Sequence, residues 1–212
     1  MRVVTGEAKG RKLKTPKIPG TRPIMDRVKT ALFDILSTEV KDARFLDLFA
    51  GTGSVGIEAL SRGAAHATFI EMNHKILQLV RENLQITSLA DRAETLHCDA
   101  FKFLQTNRVG TGLAPVRPSA GGIRTGASPV PTGLRQYDII YIAPPQYEDL
   151  AARALVLVDS SALCADEALV IVQIHPKERP GVVAVECKHF ELTDERRYGS
   201  TLLMFYRHRP AA

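Results

Sequence analysis

Tryptophan is absent from this chain of 212 residues, and cysteine is scarce: Cys98, Cys164 and Cys187 are all there is. They lie far apart and form no C-x-x-C pair, which excludes a cysteine-built zinc site or a disulfide framework, so each is expected to be a buried free thiol. The six histidines show neither H-E-x-x-H nor H-x-x-E-H spacing, and no metal is assigned. Long apolar runs are also missing, none approaching the roughly 18 residues of a membrane helix. The N-terminus lacks the basic, apolar and cleavage regions of a secretory signal. A cytoplasmic location is therefore expected. Acidic residues are scarce near the N-terminus. The first 29 residues hold nine Lys or Arg, opposed by Glu7 and Asp26 alone.

What the chain does contain is ordinary in bulk and informative in pattern. A hydrophobic content of 45% suits a soluble domain long enough for one well-filled core. Residues 1–20 read as an extended or hairpin segment that leaves through Pro16, Pro19 and Gly20. A helix follows over Asp26 to Leu36, with Val28, Ala31, Leu32, Ile35 and Leu36 as its apolar face and Arg27 and Lys29 off it. Strand and helix patterns then alternate: strands at 45–49, 67–71, 93–98, 137–143 and 169–174, helices at 54–62, 73–85 and 150–158, and a short one through Phe103 and Leu104. Asn73 suits the N-cap of the second of these helices. The end changes character, with Phe190 to Arg196 and Thr201 to Arg207 flanking Tyr198-Gly199. This predicts an α/β fold: a Rossmann-like, mainly parallel seven-stranded sheet with an antiparallel C-terminal strand. Residues 1–25 form a small basic extension and residues 26–212 the main domain. A segment rich in Gly, Pro, Ser and Thr, about 107–136, reads as an insertion.

The run Phe45-Leu46-Asp47-Leu48-Phe49-Ala50-Gly51-Thr52-Gly53-Ser54-Val55-Gly56 carries the chemistry. A buried strand leads into a glycine-rich turn and then a helix, the arrangement that lets backbone approach a ligand. It matches G-x-G-x-x-G, so a dinucleotide is one reading. Asp47 argues for another. A carboxylate there repels a pyrophosphate but pairs with an ammonium, directly or through water. S-adenosylmethionine has an amino-acid head group and no phosphate. Glu71, closing the second strand, is placed to bind ribose hydroxyls in either case. Asp99, after the third strand, can accept the adenine amino group, although a helix N-cap would also explain it. Together these favour S-adenosylmethionine, with Asp47, Phe49, Ala50, Gly51, Thr52, Gly53, Glu71, Met72, Asp99 and Ala100 as candidate lining. The basic N-terminal segment would attract the phosphates of a nucleic acid.

The fourth strand ends in Ile142-Ala143-Pro144-Pro145-Gln146-Tyr147. Two prolines there cannot continue a ladder and leave carbonyls open at the ligand-facing edge. With this motif the chain resembles the S-adenosylmethionine-dependent methyltransferases, and more closely the RsmD-type family. The likeness rests on Gly10-Arg11-Lys12-Leu13, Arg22-Pro23, Asp26-Arg27-Val28, the stretch from Asp47 to Gly53, Ile57 to Ala64, Ile70-Glu71, and Tyr198-Gly199-Ser200-Thr201 before Phe205-Tyr206. It implies methylation of the exocyclic N2 of a guanine in small-subunit ribosomal RNA. It also implies a catalytic loop of Ala143, Pro144, Pro145, Gln146 and Tyr147, with Arg11, Lys12, Arg22 and Arg27 on RNA phosphates, and a monomer as the working state.

The family's signature at this loop is Asp or Asn, then Pro-Pro, then an aromatic residue. Its oxygen and a backbone carbonyl accept hydrogen bonds from the target amine, and its ring stacks on the base. Here Ala143 stands at the acidic position and Gln146 at the aromatic one, with Tyr147 able to supply a ring one residue later. The departure keeps a second reading open, a protein that binds RNA and cofactor for ribosome assembly but does little chemistry. A NAD-linked dehydrogenase is the third.

Overall fold

The computed structural model describes residues 1–16, 25–107, 136–146 and 149–209. The 107–136 segment lies almost wholly outside them, as do Arg22 and Tyr147. Seven strands, β1 (Arg44–Asp47), β2 (His66–Glu71), β3 (Ala93–His97), β4 (Tyr137–Ile142), β5 (Cys164–Ile174), β6 (Phe190–Tyr198) and β7 (Thr201–His208), run in the order β3-β2-β1-β4-β5-β7-β6, six parallel and β7 antiparallel. The expected sheet is borne out.

Met1–Asp99 belongs to one compact unit. In it β1 (Arg44–Asp47), β2 (His66–Glu71) and β3 (Ala93–His97) pair in parallel, with Asp47 opposite Phe69 and Glu71 opposite His97. Helix α1 (Asp26–Leu36) precedes them, α2 (Ser54–Ser61) joins β1 to β2, and α3 (His74–Thr87) joins β2 to β3. Asn73 caps α3 as expected, its side chain accepting from the amides of Lys75 and Ile76. Phe45, Leu46, Phe69 and Ile70 fill the core with Leu60, Leu77 and Val80.

Residues 1–14 form a hairpin pinned by an antiparallel bridge between Arg2 and Lys12. It is built into the unit: Val3, Ala8 and Leu13 are buried. Its backbone is held by side chains of α2, since Val4 and Thr5 donate to Glu58 at 2.8 and 2.9 Å and Ala8 to the Ser61 hydroxyl at 3.0 Å. Here the sequence reading needs correction. Lys29 does not lie off the apolar face of α1; it is 0% exposed. Its ammonium donates to the Arg2 carbonyl at 2.7 Å and pairs with Glu58, also 0% exposed, at 3.2 Å. Burial pushes the lysine pKa down, and the Glu58 carboxylate opposes that only in part. Ile35, expected inward, is exposed, and Phe33 takes the buried position instead.

The second unit starts at Ala100. Helix α4 (Ala100–Thr106) is followed by β4 (Tyr137–Ile142), α5 (Leu150–Asp159), β5 (Cys164–Ile174), α6 (Arg179–Val183), β6 (Phe190–Tyr198) and β7 (Thr201–His208). β4 and β5 are parallel, and β7 runs antiparallel to both β5 and β6. β5 starts five residues before the expected Leu169. Its pairing with β4 shifts between Tyr137 and Ile139, so the charged Asp166 and Glu167 fall in an irregular stretch. Cys187 is buried as expected, but Cys98 and Cys164 are only half-buried. Among the described residues no helix is long and apolar enough to cross a membrane.

Candidate functional site: the acidic strand ends and the Pro-Pro loop

Asp47 ends β1 and Glu71 ends β2, while Asp99 follows β3 by two residues. The period-two strands and their parallel register set this spacing, so the three carboxylates mark one edge of the first unit's sheet. Glu71 organises the turn. Its two oxygens accept the Gly51 amide at 3.0 Å and the Asn73 amide at 2.8 Å. The Ala50 amide donates to the Ile70 carbonyl at 2.9 Å, and the Gly53 amide to Ala50 at 2.8 Å. Gly51 holds φ +52°, and a Cβ built there would meet nothing within 4 Å. That open flank beside backbone is space a ligand can use. Gly56 is glycine for the opposite reason, since a Cβ there would sit 2.4 Å from the Phe69 ring.

Asp47 is 2% exposed and accepts the Gly56 amide, in the first turn of α2, at 3.2 Å. Burial drives its pKa from 3.8 up to about 7, only partly opposed by the Gly56 hydrogen bond, and the charge of Glu71 pushes the same way. A buried carboxylate poised near neutrality, with no cation paired to it among the described residues, suits a cationic ligand group and disfavours phosphate. Met72, next to Glu71, is 69% exposed. Its carbonyl is held by His97 Nε2 at 3.0 Å, and the His74 ring meets His97 edge-on at 5.3 Å. Phe49, Thr52 and Asp99 are half-buried, Ala50 and Ala100 buried. These features fit S-adenosylmethionine: acidic acceptors for an ammonium, a ribose diol and an amine, an open backbone turn, and an exposed thioether side chain. Among the described residues no group of three or more His, Cys, Asp or Glu could hold a metal.

In the second unit, Ala143 and Gln146 are half-buried, Pro144 is buried and Pro145 exposed. Tyr141, 2% exposed on β4, donates its hydroxyl to Gln173 Oε1 on β5 at 2.6 Å. Of the four candidate RNA contacts, Arg11, Lys12 and Arg27 are exposed. The Arg11 guanidinium donates to the Ile86 carbonyl at 3.0 Å. Lys14, in the same hairpin, pairs with Glu82 at 2.7 Å.

The sequence reading missed two residues that hold this region together, Glu58 and Asn83, both 0% exposed. Each left a signal: a polar residue inside the apolar stripe of its helix, beside Ile57 and Leu60 in α2 and beside Val80 and Leu84 in α3. A buried polar side chain must have partners, and both find them in the hairpin.

The family described as "Conserved hypothetical protein 95" matches residues 1–113 and 125–207. The chain is 35% identical over 173 residues to "Ribosomal RNA small subunit methyltransferase D" of Escherichia coli (strain K12), covering 82% of this chain and 74% of that one. It is 31% identical over 211 residues to "Putative rRNA methyltransferase YlbH" of Bacillus subtilis (strain 168), covering 99% of this chain and 100% of that one. A solved structure, "Putative methyltransferase yhhF from Escherichia coli", superimposes with a TM-score of 0.77 at 30% identity, covering 100% of this chain and 99% of that one. The architecture is the class I methyltransferase fold.

Proposed function

Because the chain belongs to the conserved hypothetical protein 95 family, whose relatives include the small-subunit ribosomal RNA methyltransferases D, we propose that it is an S-adenosylmethionine-dependent RNA methyltransferase. Its substrate is the exocyclic N2 of a guanine in small-subunit ribosomal RNA, met as free RNA or in the assembling subunit. The observation that carries this reading is a family match running through both the glycine-rich turn and the Pro144-Pro145 loop. The protein works in the cytoplasm as a monomer.

S-adenosylmethionine supplies a methyl group already activated on a sulfonium, so the task left to the chain is positioning. Asp47 meets the ligand's ammonium, Glu71 its ribose hydroxyls and Asp99 its adenine amine. Phe49, Ala50, Gly51, Thr52 and Gly53 wrap it with backbone, while Met72 and Ala100 complete the lining. The carbonyls of Ala143 and Pro144 accept hydrogen bonds from the target amine, with the Gln146 amide oxygen beside them; the methyl leaves S-adenosylhomocysteine behind, and the proton that the nitrogen then sheds passes to solvent. Pro145 fixes the loop and Tyr147 stacks on the base. Residues 1–25 serve as the RNA-binding extension, in which Arg11, Lys12 and Arg22 hold phosphates together with Arg27 of α1. The rest of the chain is the catalytic domain.

Ala143 favours one competing reading, an assembly protein that binds but scarcely methylates, because it offers no side-chain acceptor. Transfer of labelled methyl from S-adenosylmethionine to unmodified small-subunit ribosomal RNA separates the two. Incorporation at guanine N2 is expected, and its absence with intact binding of both ligands favours the assembly protein. A single well-placed polar contact changes such rates by about 100-fold. Ala143→Asp is accordingly expected to raise the rate by at least about tenfold.

A further inference from the structure

The Asn83 side chain uses one amide to join the basic hairpin to the cofactor turn. It is 0% exposed on α3. Its Oδ1 accepts the Lys14 amide at 2.8 Å, while Nδ2 donates to the Lys14 carbonyl and to the Thr52 carbonyl, each at 3.1 Å. One neighbour is a donor and two are acceptors, so only this orientation of the amide satisfies all three. Lys14 lies at the exit of the hairpin that carries Lys9, Arg11 and Lys12. Thr52 sits between Gly51, with its open flank, and Gly53.

Two further contacts run the same way. The Thr52 hydroxyl lies 3.9 Å from the Met1 sulfur. Glu58 and Ser61 of α2, the helix that leaves the turn, hold the hairpin backbone. A polyanion that shifts or stiffens the hairpin therefore acts on the turn through a buried, geometrically exacting amide, and a ligand that shifts or stiffens the turn acts back on the hairpin. Such coupling is reciprocal by thermodynamic necessity.

We propose that Asn83 is a positioning residue that couples RNA binding at the basic hairpin to cofactor binding at the Gly51–Gly53 turn. This rests on the function proposed above and adds that each ligand tightens the other.

The test is calorimetric titration of S-adenosylhomocysteine into the full chain, with and without an unmodified small-subunit ribosomal RNA fragment. In the wild type, RNA is expected to tighten binding by about five- to tenfold, within the usual range of coupled sites. In Asn83→Ala the factor falls to about one while each ligand still binds alone, a split that simple loss of structure would not produce. An unchanged factor in the variant, or a factor of one in the wild type with both ligands binding, overturns the coupling and leaves the proposed activity standing. No S-adenosylhomocysteine binding at all overturns both. Should Asn83→Ala fail to fold, hydrogen exchange in the wild type decides instead. The Lys14 amide is expected to exchange at least about threefold more slowly with S-adenosylhomocysteine bound, and no change overturns the proposal.

Discussion

Asp47 is where the chemistry of a single side chain has the widest reach. Its pKa in the folded chain, about 7, stands above its ordinary 3.8, so folding favours the protonated acid. The contribution of this group is full below about pH 4 and is lost as pH rises through about 7, a change on the order of 4 kcal/mol for the unliganded chain. Asp47→Asn keeps an acceptor for the Gly56 amide and carries no charge. It is expected to flatten the loss of thermal stability between pH 5 and 8 and to raise the melting temperature at pH 8. If the carboxylate meets the ligand's ammonium, affinity for S-adenosylhomocysteine in the wild type rises by up to about tenfold per pH unit toward pH 7. In Asp47→Asn that slope disappears and affinity is lower, both readable by calorimetry. The sequence placed Asp47 at the strand end correctly. Its burial, and its hydrogen bond to the Gly56 amide nine residues on, depend on how the turn folds back against the strand and were not legible there.

At the scale of elements, the strand, turn and helix around residues 44–61 were readable because each leaves a local mark: an apolar run, glycines, then helical spacing. Helix α1 matched its expected bounds, yet its buried face did not, because Lys29 is drawn in by a carboxylate on another helix. Helix α6 was not read at all, since Pro180 and Gly181 occupy two of its five positions and only a Pro-capped first turn explains it. The two ends of the G-x-G-x-x-G run are expected to fail differently. Gly56→Ala forces a methyl against the fully buried Phe69 ring and should cost about 1–3 kcal/mol in urea unfolding. Gly51→Ala meets no neighbour. It costs on the order of 1 kcal/mol for its left-handed backbone, but weakens S-adenosylhomocysteine binding by about tenfold or more, because its methyl enters the ligand's space.

For the whole molecule, a net charge of +5 is less telling than its concentration near the N-terminus. Lys14 is neutralised by Glu82, and Arg92 pairs with Glu7 of the hairpin, whereas Arg11 and Lys12 remain exposed. Replacing both with alanine is expected to weaken RNA binding at every sequence. It should also reduce the slope of log affinity against log salt by about 1.4, since each phosphate contact on single-stranded RNA contributes about 0.7. S-adenosylhomocysteine affinity measured without RNA should not change. The sequence showed the excess of cations but not which of them are spent on internal partners. The Lys29–Glu58 pair has a consequence for how this protein can diverge. Losing Glu58 alone strands the Lys29 ammonium in a dry interior, at about 3–5 kcal/mol, whereas losing Lys29 leaves Glu58 its 3.0 Å pair with Arg62, so it is Glu58 that cannot drift by a single step. An uncharged residue at Glu58 would have to be matched by one at Lys29, and the exchange would remove the carboxylate that grips Val4 and Thr5. A descendant carrying such an exchange should have found another way to moor its first residues, or have stopped needing them.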